Sequence, residues 1–400
     1  MKIAVVYQHY YPEPFRLTDI CEELVRRGHT VTVYTGLPNY PHGNIPKKYK
    51  WFKNRLEYRN GVKIIRTFEI GRKKGKLGLA INYVSYTISS VWKSLFAPLD
   101  FDVIFAYSTS PILMSLPGLV LKKRSNKKML LYIMDIWPAC LSAMNVKETS
   151  LLYRFMRRVS KYVYKNCDML TYSSKSFKTY MQDVHKINMP EENYTPQFAD
   201  ALFENIEPEN KTNKEEFTFV FAGNIGKMQN VDVIIKAADI LRDYDINWKI
   251  LGDGSDFDRC RQLVDSLGLE YCIDMPGRLP VESMPIYYSN ADALIVTMKN
   301  DPLVNSTLPG KIQSYMAFGK PILGAINGET ANIIAEADCG LCSEAENPEA
   351  FAKIILEFIN MPVERKKELA NNSKNYYIEN FTMKLHIDRL ERQLLSLCNK

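Results

Sequence analysis

The chain opens on a strand, a helix, a glycine and a second strand, and this order constrains its fold more than any other feature. Residues 2–7 are rich in β-branched and aromatic side chains, and Leu17, Ile20, Cys21, Leu24 and Val25 then recur at helical spacing. Gly28 ends that helix, and residues 31–35 form the next strand-like run. A strand returning after a helical crossover pairs parallel to the first, so this is one βαβ unit. Strand-like runs at 62–67, 103–106, 129–134 and 169–172, separated by helical patterns, extend it to a doubly wound parallel sheet.

The pattern then restarts. A strand at 217–222 meets Gly223-Asn224-Ile225-Gly226, followed by a helix at 230–241, a strand at 248–251 and a Gly252-Asp253-Gly254 loop. Later strands are expected at 292–297 and 321–325. Residues 205–216 are polar, acidic and poor in large apolar side chains, which reads as a linker. A chain of 400 residues, 46% apolar, is ample for two cores. The expected organisation is an N-terminal α/β domain over 1–200 and a C-terminal one over 201–379, with two facing doubly wound sheets. Helical patterns at 364–377 and 385–397 close the chain, and the helix at about 380–400 is expected to pack back onto the first domain. A single TIM barrel also uses such units but accounts poorly for the linker.

Near the end, Thr307-Leu308-Pro309-Gly310-Lys311 runs into an apolar helix at 312–318, and Gly319-Lys320-Pro321 leads into a strand. Proline and glycine at a helix start leave the first backbone N–H groups pointing outward, and a lysine in the first turn adds a full positive charge there. Such a place suits an anion, most naturally a phosphate.

Charge is divided unequally. Residues 1–200 hold 31 Lys+Arg against 15 Asp+Glu, a net +16, and residues 201–400 hold 21 against 30, a net −9. A basic half attracts polyanions, and the clusters at 72–76, 122–128 and 154–161 flank an aromatic, amphipathic stretch at 77–96. This pattern points to an anionic membrane surface. No zinc-finger, RRM or KH signature accompanies the charge, so nucleic acid is not the expected partner. The apolar start is short and is followed by Gln8 and His9, which reads as a first strand and not as a signal peptide, giving an expected cytoplasmic location, peripheral on the inner face of the membrane. Eight cysteines in such a chain are expected to be reduced, and the Cys339-Gly-Leu-Cys342 pair lacks the partners of a zinc site.

Several stretches carry a more specific likeness: Tyr10-Tyr11-Pro12-Glu13-Pro14, residues 27–33 and 36–43, Asp135-Ile136-Trp137-Pro138, residues 196–200, Phe221-Ala222-Gly223-Asn224, Gly252-Asp253-Gly254 and residues 315–321. In this order the chain resembles the family 4 glycosyltransferases of the GT-B fold, and among them bacterial surface-polysaccharide enzymes of the N-acetylfucosamine transferase type. The resemblance implies a nucleotide-sugar donor held by the second domain, an acceptor held by the first, retention at the anomeric carbon and no cofactor or metal. It further implies a UDP donor carrying an N-acetylated amino or deoxyamino sugar, and a lipid-linked saccharide acceptor in capsule, O-antigen or exopolysaccharide synthesis. Family members commonly carry two glutamates eight residues apart where this chain has Ser306 and Ser314. Thr307, Lys311 and Gln313 are the nearby polar replacements. The three D-x-D sequences, at 100–102, 243–245 and 256–258, fit solvated element ends better than a metal site.

Sugar transfer from a nucleotide diphosphate requires stabilisation of the leaving phosphate's growing charge. Lys311 and Gly310 at the helix start are the first candidates, with Thr307 just before them. Gly223, Asn224 and Gly226 can bring backbone N–H groups and an amide to the same diphosphate, Gln229 stands where many relatives have a cation, and Arg278 follows a strand in the segment resembling the base site. In a front-side mechanism the leaving phosphate takes the acceptor's proton. Asp135, after a buried strand, and Glu13, after the first, are the candidate carboxylates to orient the acceptor, while His9 and His29 are expected to be structural. Two alternatives remain: a nucleotide-sugar epimerase of GT-B architecture, and a non-catalytic nucleotide-binding partner subunit.

Overall fold

The computed structural model describes residues 1–41, 43–73, 75–144, 146–204 and 216–398, so the linker expected at 205–216 lies almost wholly outside the described residues. The chain forms two compact units, one of Met1–Thr195 with Ile387–Lys400, the other of Pro196–His386.

The first unit holds a seven-stranded sheet of β1 (Lys2–Val6), β2 (Thr30–Thr35), β3 (Leu56–Arg59), β4 (Val62–Arg66), β5 (Val103–Ser108), β6 (Lys128–Ile133) and β7 (Met169–Tyr172). Their order is β3-β4-β2-β1-β5-β6-β7. All neighbours are parallel except β3 and β4. The edge strand β3 is absent from the sequence reading, although Asn60-Gly61 signals its pairing with β4: both residues have positive φ, 44° and 80°, as a tight hairpin turn demands. The direction of winding reverses between β1 and β5, and the loops after β1, β5 and β6 therefore lie side by side at one edge.

The second unit holds β8 (Phe217–Ala222), β9 (Ile246–Leu251), β10 (Ile273–Gly277), β11 (Ala293–Thr297), β12 (Ile322–Ala325) and β13 (Gly340–Ser343). Their order is β10-β9-β8-β11-β12-β13, parallel throughout. The central strands are buried on both faces, as their unbroken apolar runs require: Val220, Phe221, Leu294, Ile295 and Val296 are fully enclosed. Here the winding reverses between β8 and β11.

The division falls at Thr195/Pro196, slightly before the expected boundary at 200. Residues 196–199 are tied into the second unit: His386 Nδ1 lies 2.8 Å from the Pro196 carbonyl, and the Ala199 N–H donates to the Tyr377 hydroxyl at 3.2 Å. The last helix, Met383–Cys398, passes into the first unit from Ile387 onward. There Arg27 Nη1 meets Asp388 and Glu391, each at 2.7 Å, His29 Nε2 lies 2.7 Å from Glu391, and Thr171 donates to Gln393 at 2.9 Å. His29 is thus a tether for the terminal helix.

Candidate functional site

Ligands of open α/β sheets gather at the carboxyl ends of the strands where winding reverses. In the second unit that point is the gap between β8 and β11, and Tyr315 fills it. Its hydroxyl accepts from the Ala222 N–H at 3.1 Å and lies 3.3 Å from the Ala222 and Ile295 carbonyls, so the Gly310–Phe318 helix is fastened to both strands. Lys311 stands four residues earlier, on the same helix face one turn toward the N-terminus. Tertiary packing therefore aims it at the end of β8, where its Nζ lies 3.8 Å from the centre of the Phe221 ring.

The ammonium is buried, although the stem remains partly accessible, and no hydrogen-bond partner meets it among the described residues. Loss of hydration pulls its pKa down to about 7. A buried cation without a counter-charge is costly, so the position reads as one that awaits an anion. Gly223 gives the lysine its room: at φ 145° a Cβ there would lie 3.0 Å from Nζ.

The loops after β8 and β9 interlock around this point. Gly223 donates to Leu251 at 2.9 Å, Ile225 to Asp253 at 2.9 Å and Gly252 to Gly277 at 3.0 Å. Gly252 has φ 143°, and a Cβ there would sit 1.8 Å from the Gly223 carbonyl oxygen. Gly252→Ala is expected to cost about 1–3 kcal/mol and to weaken nucleotide binding roughly tenfold by pushing the β8 loop aside. Chemical denaturation alongside UDP titration reads both effects; unchanged values would mean that the loops do not depend on this contact.

Gln229 is engaged within the loop itself. Its Oε1 accepts from Asn224 Nδ2 at 2.8 Å and from the Gly226 N–H at 3.2 Å, and its carbonyl accepts from Thr297 at 2.6 Å. The side chain braces the glycine loop, leaving Gly223 and Asn224 exposed at its crest. Gly310 is exposed with open space beside it. Thr307 turns its hydroxyl back to Leu303 at 2.9 Å, because the short Pro302–Asn305 helix offers a carbonyl within reach. Arg278 is exposed just past β10, two strands from Gly223 in the sheet order.

The two serines at the expected glutamate positions also look inward. Ser306 donates to Leu303 at 2.8 Å and Ser314 to Gly310 at 3.4 Å, and the buried Gln313 amide returns to the Pro309 and Gly310 carbonyls. The next helix packs its start against this turn, and the sequence reading did not single it out. Gly328, where a Cβ would meet the Asn305 carbonyl at 2.1 Å, and Thr330, which donates to Thr307 at 3.4 Å, bracket the buried Glu329.

In the first unit, Asp135 follows β6 and accepts from Ser110 Oγ, after β5, at 2.7 Å, and Ser110 in turn accepts from Trp137 Nε1 at 3.2 Å. Burial raises the Asp135 pKa, with the Ser110 hydrogen bonds opposing. Glu13 is more fully engaged. One oxygen accepts from the Asn39 and Tyr40 N–H groups at 2.7 and 2.6 Å, and the other lies 3.1 Å from His9 Nδ1. Its carboxylate therefore anchors the loop after β2, and His9, stacked on Phe15, completes that anchor. Glu69, fully buried, meets Gln8 at 3.2 Å and Asn39; burial first, then the charge of Glu13, raises its pKa well above the usual range. Nothing in the local sequence marks Glu69, because its environment comes from the loop after β1, the loop after β2 and the Lys76–Leu95 helix.

Three of the six D-x-D acids have partners elsewhere: Asp100 pairs with Lys2 at 2.7 Å, Asp102 accepts from the Lys2 N–H at 2.7 Å, and Asp256 pairs with Arg259 at 2.5 Å. Among the described residues no group of three or more His, Cys, Asp or Glu could hold a metal ion.

Comparison with known proteins follows the same division. Residues 16–191 match the model of Glycosyltransferase Family 4 and residues 203–376 that of Glycosyl transferases group 1. WbjE of Pseudomonas aeruginosa, named as a probable glycosyltransferase, is 27% identical over 65% of this chain and 66% of its own length. WcaI of Escherichia coli, named for colanic acid biosynthesis as a glycosyl transferase, is 22% identical over 90% of this chain and 93% of its own. Anabaena HepE, solved in complex with UDP-glucose, superposes with a TM-score of 0.69 at 14% identity, covering 99% of this chain and 100% of that one. The two family matches together take in most of both units, and the chain belongs to the family 4 glycosyltransferases, with the GT-B fold.

Proposed function

We propose that the protein transfers a sugar from a UDP-sugar to a lipid-linked saccharide in the synthesis of a surface polysaccharide, with retention at the anomeric carbon and without a metal. The carrying observation is the unpartnered, buried ammonium of Lys311 at the end of β8, beside a glycine loop braced by Gln229. A diphosphate lodged there would gain a full positive charge and outward N–H groups of the helix start, where its own negative charge grows as the glycosidic bond to phosphate breaks. The new bond forms on the same face of the sugar, and the leaving phosphate oxygen accepts the acceptor's proton, so UDP departs and no strong base is needed.

The family membership supports a nucleotide-sugar donor, and the UDP-glucose complex of HepE supports uridine as its nucleoside. WcaI, named for colanic acid synthesis, supports the polysaccharide setting. Within this reading Asp135 orients the acceptor hydroxyl from the first unit, and Glu13 holds the loop that borders it. An N-acetylated amino or deoxyamino sugar is the proposed donor group.

Incubation with a panel of UDP-sugars and lipid-linked acceptors, followed by mass spectrometry, tests the proposal. The expected result is an acceptor heavier by one sugar, with UDP released and turnover unchanged by EDTA. Conversion of the UDP-sugar to an isomer without acceptor would show an epimerase instead, and binding without turnover across the panel would favour a non-catalytic partner.

A further inference from the structure

The Lys76–Leu95 helix in the first unit is turned inside out. Its enclosed face carries Asn82, Tyr86, Ser90 and Ser94, all buried. This polar face is fastened to the unit: Asn82 donates to the Ile70 carbonyl at 2.7 Å and accepts from Gln8 at 3.0 Å, and Arg124 donates to the Ser94 carbonyl at 2.9 Å. The opposite face presents Leu77, Ile81, Val84, Ile88, Trp92 and Leu95 at spacings of three and four, a continuous helical stripe. Ile88 and Trp92 are each 65% exposed, and Leu77 is 75% exposed. A soluble helix points such a stripe at its core; this one points it outward, which marks a surface that something apolar covers.

Neighbouring segments extend the patch. Trp51 and Phe52 are 87% and 77% exposed, Trp92 packs against the exposed Phe96 at 5.3 Å, and an apolar groove of about 730 Å³ runs between Phe52, Arg55, Phe68, Ile88 and Trp92. Charge identifies the occupant. Residues 47–96 hold thirteen Lys and Arg against two acids, Glu57 and Glu69. Glu57 pairs with Arg66 at 2.6 Å and Glu69 is buried, so the rim of the patch is almost wholly cationic, with Lys50, Lys53, Lys73 and Lys93 exposed. Apolar and aromatic side chains ringed by cations fit the interface of an anionic bilayer, in which such a helix lies flat with its apolar face among the acyl chains. No helix among the described residues is long and apolar enough to cross a membrane, so the contact is one of lying on the surface.

We infer that the outward face of the Lys76–Leu95 helix, with Trp51 and Phe52, docks the protein on an anionic lipid bilayer. The inference deepens the proposed function, since it gives a lipid-linked acceptor a reason to meet the first unit, but it can be tested without any sugar transfer.

The test is co-flotation of the full chain with vesicles of phosphatidylcholine containing 30% phosphatidylglycerol, against phosphatidylcholine alone. Wild-type protein is expected to float with the anionic vesicles and to partition roughly tenfold less onto neutral ones. Ile88→Glu with Trp92→Glu is expected to lower anionic partition at least tenfold, and Lys73→Glu with Lys93→Glu to do the same while 0.5 M NaCl weakens the wild type. Thermal melting verifies that each variant is folded, and UDP affinity, read separately, is expected to be unchanged. Equal loss of UDP binding and activity with intact flotation would sink the transfer reading alone. Absence of flotation by folded wild-type protein would overturn the docking surface. So would a dimer in light scattering that Ile88→Glu dissociates, because the patch would then belong to a second copy.

Discussion

Lys311→Met is expected to abolish sugar transfer and to weaken UDP binding by about a hundredfold or more, while making the protein more stable. The two effects share one cause. In the wild type the ammonium sits over Phe221 with no partner, and its pKa of about 7 records the penalty of desolvation. Methionine fills nearly the same volume without charge, so the unliganded fold is expected to gain roughly 1–4 kcal/mol at neutral pH. A lysine whose folded pKa is lowered destabilises the fold fully below that pKa, and the penalty fades as pH rises toward the unfolded value near 10.4. The stability gain of Lys311→Met should therefore be largest below pH 7 and shrink through pH 8 to 10. Adding UDP should raise the melting temperature of the wild type and not of the variant. A variant that is destabilised, or that binds UDP as well as the wild type, would remove Lys311 from the site.

Nucleotide affinity itself is expected to fall as pH rises above 7, by up to about tenfold per unit until the pKa of the bound state is reached. In the free protein Lys311 loses its proton around pH 7, whereas a diphosphate beside it favours the charged form and raises its pKa. Binding at pH 8 then draws a proton from the buffer. Calorimetric titration of UDP in two buffers of different ionisation enthalpy reads this directly above about pH 7.5, where the terminal phosphate of UDP is already ionised, with proton uptake approaching one at about pH 8.5. Lys311→Met should show no uptake at pH 8.5. Proton release at pH 8.5, or an affinity independent of pH from 7 to 9, would contradict a phosphate contact at this ammonium.

Legibility in the sequence differed from place to place. The strands at 169–172 and 217–222 and the helix start at Pro309-Gly310-Lys311 were readable, because an apolar run bounded by glycine or proline admits few local structures. The short strands β3 and β13 were missed. The first needs a partner to be a strand at all: alternate residues are exposed on an edge, and the Asn60-Gly61 turn is the one local sign of it. The bracing of the glycine loop by Gln229 was not legible either, since its partners Asn224 and Gly226 become neighbours only once the loop folds over.

The Lys76–Leu95 helix and Lys311 mark the boundary most clearly. Residue order determined that a helix stands at each place, and that one carries an apolar stripe and the other a cation in its first turn. Only tertiary structure decided where the stripe and the cation point. Periodicity depends on bonds within four residues, whereas the choice of buried face depends on partners far along the chain: Gln8, Ile70 and Arg124 hold the polar side of the first helix inward, and Ala222 and Ile295 hold Tyr315, and with it Lys311, at the reversal of the second sheet.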